Sequence, residues 1–405
     1  MTITNAVIAD ILKVNYPEPV VQDLTYRQQA ILPFLKKWRK DAGGKNQSFS
    51  IETYRSETGR YVAENTAQKT PAGNQYKRGY VDMCTVYQRQ YLTQEAIDDS
   101  AGGGDKALFA AVAKVPKDVS RDHAFHIACN AWALDVGGAL ATCIATTGST
   151  TINLAATSNM RKFYRGQIID VKNATTGADV HADCTISAVS EKNKTITQGT
   201  SATTTTAHSI YIQDEAYGVS SVLTGYGAYP IPVLVGTGNA CNITASSYPE
   251  WASYLNDATG SLTLAKIQAA VDWVEARCET KMTTMFASPE VIIKYADILL
   301  PDVRYKPEDL GRWEAGYPTT LFYRGGTMGI IPIIKDAIMP TDELYIIADN
   351  AITNYSTAWL KWFAGDGSQF SRVSGVLTYE MTLYSRHNLA IPARQATAKL
   401  QAISI

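Results

Sequence analysis

The chain has 405 residues, 45% of them hydrophobic, which is enough for a substantial core and sets an expectation of two or three domains. Charged residues make up only 19%, against about a quarter in ordinary domains, and the formal net charge of -1 gives no global field to attract nucleic acid or an anionic membrane. Tyrosine numbers 23, and interfaces favour aromatics over Lys, Glu and Asp, so much of this surface is expected to face protein.

In MTITNAVIADILKVNYPEP the apolar stretch is interrupted by Asp10 and Lys13, so it lacks a signal-peptide core, and nowhere do about 18 apolar residues run together. Six cysteines are scattered with no CxxC pair, indicating neither a zinc site nor a disulfide scaffold. The expectation is a soluble chain made in a reducing cytoplasm. After this proline-punctuated arm a short amphipathic helix is predicted around Gln22 to Lys40, and DAGGKNQ leads out of it.

Residues 73 to 91, GNQYKRGYVDMCTVYQRQY, place Val81, Met83, Tyr87 and Tyr91 on one face and Asp82, Gln88 and Gln90 on the other. Phe49 to Asn65 is also extended, and the tip TAQKTPAGNQ between the two is rich in Pro and Gly. The pattern predicts a long hairpin with arms of about 15 residues, reaching about 50 Å at roughly 3.3 Å per residue. An isolated ribbon is marginal in water, so something must cover its tyrosines.

LTQEAIDDSAGGGDK reads as a helical turn running into glycines. From Lys117 to about Thr146, the residues Phe125, Cys129, Trp132, Val136, Leu140 and Ile144, with Ile127, Ala131 and Leu134, recur at helical spacing and predict a helix of roughly 45 Å, bent at Gly137 and Gly138. Residues 150 to 216 then turn rich in Thr, Ser, Asn and Ala. Their short runs GQIIDV, CTISAV, KTIT and SIYIQ predict a small all-β insert able to fold by itself.

Beyond Leu262 the pattern mixes α and β. SLTLAKIQAAVDWVEARCETKM keeps Leu264, Ile267, Val271, Val274, Cys278 and Met282 at helical spacing, with Ser261 as the expected N-cap. In SPEVIIKYADILL, Ser288 suits an N-cap and Pro289 the first turn. TTMFA, TTLFYR, IIPIIKD and ELYIIAD are strand candidates. GVLTYEMTLYSRHNLAI is apolar on both faces, so that strand should be central.

No catalytic constellation emerges. GTGNAC from Gly236 lacks the third glycine of a dinucleotide fingerprint, and GGGDKA at Gly102 lacks the Ser or Thr that follows the lysine in a phosphate loop. His123 and His126, at i and i+3 with Asp122 beside them, are a weak metal candidate set against packed helix histidines.

This order of parts resembles the major capsid proteins of tailed bacteriophages, whose coat fold is named after phage Hong Kong 97. CNAWALDVGGALAT is similar to that family's spine helix, and ITASSYPEWASYLNDATGSLTLAKIQAAV to the passage ahead of its axial-domain helix. MFASPEVIIKYADIL and GIIPIIKDAIMP also resemble recurring stretches of it. The resemblance implies an α+β fold with an N-terminal arm (1–45), an extension-loop hairpin (46–92), and a peripheral domain with a long spine helix (93–149). A β-rich insertion domain (150–216) would follow, then more peripheral domain (217–261), an axial domain (262–365) and peripheral C-terminal strands (366–405).

By the same resemblance, the protein would be a capsid subunit and not an enzyme. It would need no cofactor or metal, and would self-assemble into pentamers and hexamers of an icosahedral head around double-stranded DNA, without sequence-specific or membrane contact. Tyr54, Tyr61, Lys69, Lys77, Tyr80, Met83 and Tyr87 would be inter-subunit contacts. Lys69 and Lys77 sit where some relatives cross-link, but no acceptor or catalytic Glu is identifiable and cross-linking is not expected. With no cleavable scaffolding segment ahead of the arm, a separate scaffolding protein is expected, together with a portal and a possible decoration protein, in a virion built in the host cytoplasm. The rival readings are an encapsulin-like compartment shell, a glycan-binding surface protein using the β insert, and a hydrolase of unknown type.

Overall fold

The computed structural model of the protein describes residues 2–3, 29–56, 59, 61–62, 64, 70, 73–102, 111–213, 228–277, 282–299, 321–325, 329–364 and 369–405. Most of the expected arm, Lys69, the glycines after Gly102 and Cys278 lie outside the described residues. Within them the chain builds three six-stranded sheets and a two-stranded ribbon.

The first sheet has Thr378–Ala390 at its centre, as its two partly apolar faces predict, with Cys84–Thr93 antiparallel on one side and Thr353–Trp362 antiparallel on the other. Thr2–Ile3 and Arg39–Asp41 lie parallel at its margins. The helix Ala111–Ala131 covers this sheet, burying Val115 and Val119 with Leu92, Met381 and Leu383. The third sheet runs Tyr254–Gly260, Thr397–Ile403, Leu344–Ala348, Met282–Ala287, Ile330–Lys335 and Leu321–Arg324. Against it lie the helices Leu264–Glu275 and Pro289–Leu299, whose Ile267, Val271, Val274 and Val291 meet Met285, Ile346 and Leu400. Ser288 caps the second helix through Val291 N–H, as expected. For the first helix the cap is Thr263, which accepts from Lys266 N–H, and not Ser261, whose carbonyl instead accepts from the Lys266 ammonium.

The insert forms the second sheet, ordered Ala141–Thr142, His208–Ile212, Ile168–Asn173, Asp179–Ser190, Thr195–Thr204 and Thr146–Asn153. All four predicted runs are strands of it. It curls back on itself where Cys143 bridges to Leu154 and Ala155 N–H donates to Thr142 O. Yet it does not close off a core of its own. Ile152, Phe163, Val171 and Ile196 belong to the same buried cluster as Trp132, Phe286 and Tyr345.

Two sequence expectations are corrected here. The long helix ends at Ala131, not near Thr146, so its 21 residues span roughly 30 Å. Gly138 takes a left-handed φ of 88°, Leu134 N–H turns back to Ala139 O, and the Asp135 carboxylate accepts from Ala139 N–H and Tyr211 O–H. The glycines therefore belong to the turn that follows the helix instead of bending it, with Gly138 in the conformation glycine favours. The buried Lys162 ammonium donates to Trp132 O and Leu140 O across the turn. The helical spacing of Leu140 and Ile144 is accidental: Leu140 enters the common core and Ile144 is exposed beside the insert.

The hairpin is also shorter than predicted. Asn46–Tyr54 pairs with Gln75–Asp82, about 30 Å of ribbon, and after Met83 the second arm leaves it to become Cys84–Thr93 of the first sheet. The alternation from Tyr80 to Tyr91 is real, but two strands in two different sheets share it.

Candidate assembly surface

The foot of the ribbon is held by its own subunit. Phe49 lies opposite Gly79, where a Cβ would come within 2.7 Å of the Phe49 ring and 2.9 Å of Ile243, so only glycine lets these two apolar groups meet over the strand. Tyr80 N–H donates to Cys241 O at 3.0 Å, and Asn242 Nδ2 donates back to Tyr80 O at 3.1 Å. Cys241 and Asn242 present these groups from a left-handed turn. Ile51 and Val81 are buried beneath.

Beyond the foot this cover ends. Tyr54 and Tyr76 are 64% and 65% exposed, and Tyr61, Val62 and Glu64 stand in solvent. Of the residues singled out from sequence, then, Tyr54 and Tyr61 are free on the outer ribbon. Tyr87 is 66% exposed, but on the first sheet, opposite Tyr384. Lys77, Tyr80 and Met83 are engaged with their own subunit: the Lys77 ammonium sits 5.9 Å over the Tyr248 ring, Tyr80 pairs with the 241–242 turn, and Met83 N–H donates to Lys45 O. Sequence reasoning passed over Tyr76, which follows the proline-glycine tip directly and lies opposite Glu52. Its place between the tip and the first buried position was the available signal.

Two further apolar patches lie elsewhere. Phe363, Val376 and Leu377 are exposed at one end of the first sheet, joined through Phe363 N–H to Thr382 O and Gln94 N–H to Leu377 O. Phe322 and Ile330 are exposed at the outer margin of the third sheet, where among the described residues Leu321–Arg324 pairs on one edge only, and Ile293 is exposed on the helix Pro289–Leu299.

The chemistry-bearing candidates are structural. His123 Nε2 lies 2.9 Å from Ser385 Oγ, and burial holds His123, His126 and His387 each down to a pKa of about 4. Among the described residues no group of three His, Cys, Asp or Glu side chains converges to hold a metal. The GTGNAC loop is filled by its own chain: Arg394, buried and lowered to about 10, donates to Val233 O, Leu234 O and Gly238 O. Burial pushes the thiols of Cys84, Cys143 and Cys241 up to about 12, leaving them unreactive at neutral pH.

No protein-family model and no curated protein matches the chain. Solved structures do. A subunit of the capsid asymmetric unit of cyanophage A-1(L) aligns over 100% of both chains with a TM-score of 0.58 at 11% identity. The capsid subunit of a native GTA particle aligns over 95% of this chain and 93% of its own, with a TM-score of 0.50 at 12% identity. The mixed α+β architecture is thus the fold of phage-type capsid subunits, shared with almost no retained sequence.

Proposed function

We propose that this protein is the major capsid protein of a tailed phage, assembling into pentamers and hexamers of an icosahedral head that encloses double-stranded DNA. The observation that carries the reading is the outer ribbon: Tyr54 and Tyr76 on the strand pair, and Tyr61 beyond it, are exposed among the described residues, on a chain with a capsid-subunit fold. Tyrosine is a preferred anchor of interfaces, and each ribbon laid on a neighbour removes aromatic surface from water.

Repeated identical contacts close into rings and then into a shell. Many moderate contacts per subunit supply collective stability that no single one has. Function on this reading is packing without turnover, in a virion, with a separate scaffolding protein and a portal as assembly partners.

The test is expression of the chain with and without its neighbouring genes, followed by light scattering and negative-stain electron microscopy. Closed shells or capsomers are the expected result. A monomer at every salt and protein concentration, even with the neighbouring gene products present, overturns the reading.

A further inference from the structure

The helix Ala111–Ala131 takes part in two separate apolar clusters. Its Val115 and Val119 pack with Leu92, Met381 and Leu383, while its Ile127 and Ala128 join Trp132, Leu389 and the common core. Between the two, the contact of helix with sheet turns polar. His123 comes from the helix, Ser385 and His387 from the central strand, and Asn354 and Ser356 from Thr353–Trp362. Residues two apart in a strand share a face, and Ser356 stands directly opposite His387, so all four strand residues line one side of the sheet. None of the five is more than 4% exposed.

One bond crosses this seam, between His123 Nε2 and Ser385 Oγ at 2.9 Å. Ser385 Oγ also accepts from Leu360 N–H at 3.0 Å, which leaves its own hydrogen for His123 Nε2 and places the hydrogen of neutral His123 on Nδ1. That Nδ1–H finds no acceptor, and neither His387 Nδ1 nor Ser356 Oγ has a protein partner. Asn354 Nδ2 donates to Leu35 O at 3.0 Å, which orients the amide and leaves Oδ1 without a donor. Buried polar atoms are nearly always paired, yet here four unpaired ones line the seam at which two apolar clusters part. They are a fixed donor, a fixed acceptor and two groups able to act as either, with no charged side chain bonded to any of them. Their complement is a small neutral molecule that both donates and accepts. We propose that ordered water occupies this seam and bridges helix to sheet through His123 Nδ1, Asn354 Oδ1, Ser356 Oγ and His387 Nδ1. A buried water typically makes about three such bonds and is costly to remove. The helix is then held by apolar packing at Val119 and Ile127 and by water between them. The inference stands apart from the capsid reading.

The test is a density map of the full-length protein, free or assembled, at a resolution that shows ordered water. The expected result is density within hydrogen-bond distance of about three of the four atoms, His123 Nδ1 among them. Ser356→Val removes one partner and puts methyl groups into the seam, so the density should be displaced while the bond from Ser385 to His123 stays. The wild-type map decides alone if that variant does not fold. A wild-type seam closed by a direct bond between Ser356 Oγ and His387 Nδ1, with no density against His123 Nδ1, overturns the inference. Density that persists unchanged in Ser356→Val overturns it as well.

Discussion

The ribbon and the insert are both β-structure built from short alternating runs, and they stand in opposite relations to the rest of the subunit. The insert is bolted down through its 155–163 turn. Asn159 Nδ2 donates to Ala337 O and Met339 O at 2.7 and 2.6 Å, Thr341 Oγ1 donates to Thr157 O, and Arg161 pairs with Glu290 at 2.8 Å. Behind these bonds its apolar face joins the Trp132–Phe286–Tyr345 cluster, with ring centroids 5.9 and 5.2 Å from Trp132. Among the described residues the ribbon has such anchors only at its foot. Composition alone suggests the reverse, since the Thr-rich insert is the more polar and the ribbon carries the aromatics. The difference teaches that an aromatic strand without cover in its own subunit points to a partner, while a polar strand with one buried face belongs to the core.

The largest test of this contrast removes the outer ribbon. Replacing residues 55–74 with a short Gly-Ser turn takes no residue from the paired strands and none from the core clusters. Circular dichroism and the melting temperature should match wild type, while sedimentation shows complete loss of shells. Shells that persist would end the inter-subunit role of the ribbon tip that carries Tyr61, and an unfolded subunit would move that tip into the core.

Next comes the insert's bolt. Asn159 is buried, and Asn159→Ala strands two carbonyls, so chemical denaturation should show a loss of about 2–4 kcal/mol. A change below about 0.5 kcal/mol would mean that the insert is independent after all.

A third effect lies in pH. His123, His126 and His387 sit near a pKa of about 4 against 6.5 when unexposed to the fold, so the unfolded chain binds protons first. Their contribution is complete above pH 6.5 and is lost as the pH falls from 6.5 toward 4. The helix Ala111–Ala131 should loosen from the first sheet, at a total cost on the order of a few kcal/mol, before the third sheet melts. Amide exchange measured at pH 7 and pH 5 checks this, and uniform loosening of all sheets would contradict it.

The smallest effect on the fold is expected at an exposed ring of the outer ribbon. Tyr54→Ala should change subunit stability by no more than about 0.5 kcal/mol while slowing assembly measurably in light scattering.

Much of this was legible in the sequence. Strict periodicity located both helices of the third sheet, the four runs of the insert, and the central place of Thr378–Ala390. The errors arose where one pattern served two structures. Helical spacing continued by accident past Trp132 because Leu140 is recruited by the common core that the insert shares, and local periodicity holds no information about that partner. Strand alternation ran unbroken through Met83 because a change of sheet preserves the period of two. At the candidate surface, the sequence offered tyrosines but not their exposure. Tyr80 is engaged through a left-handed turn about 160 residues away, which the spacing of residues does not reveal.

The central strand of the first sheet has a consequence for how the protein is made. Arg89 and Glu380, which pair across it, are 291 residues apart, and Ile31 N–H is matched by Asp336 across 305. A ribosome adding about 5–20 residues per second leaves Cys84–Thr93 without its neighbour for roughly 15–60 s. Throughout that interval the nascent chain presents an unpaired, half-apolar edge beside an aromatic ribbon, the two features most apt to capture another nascent chain on the same message. Productive yield should therefore depend on slow initiation or on a chaperone holding that edge, and crowding ribosomes on the transcript should send the product into inclusion bodies before any shell can form.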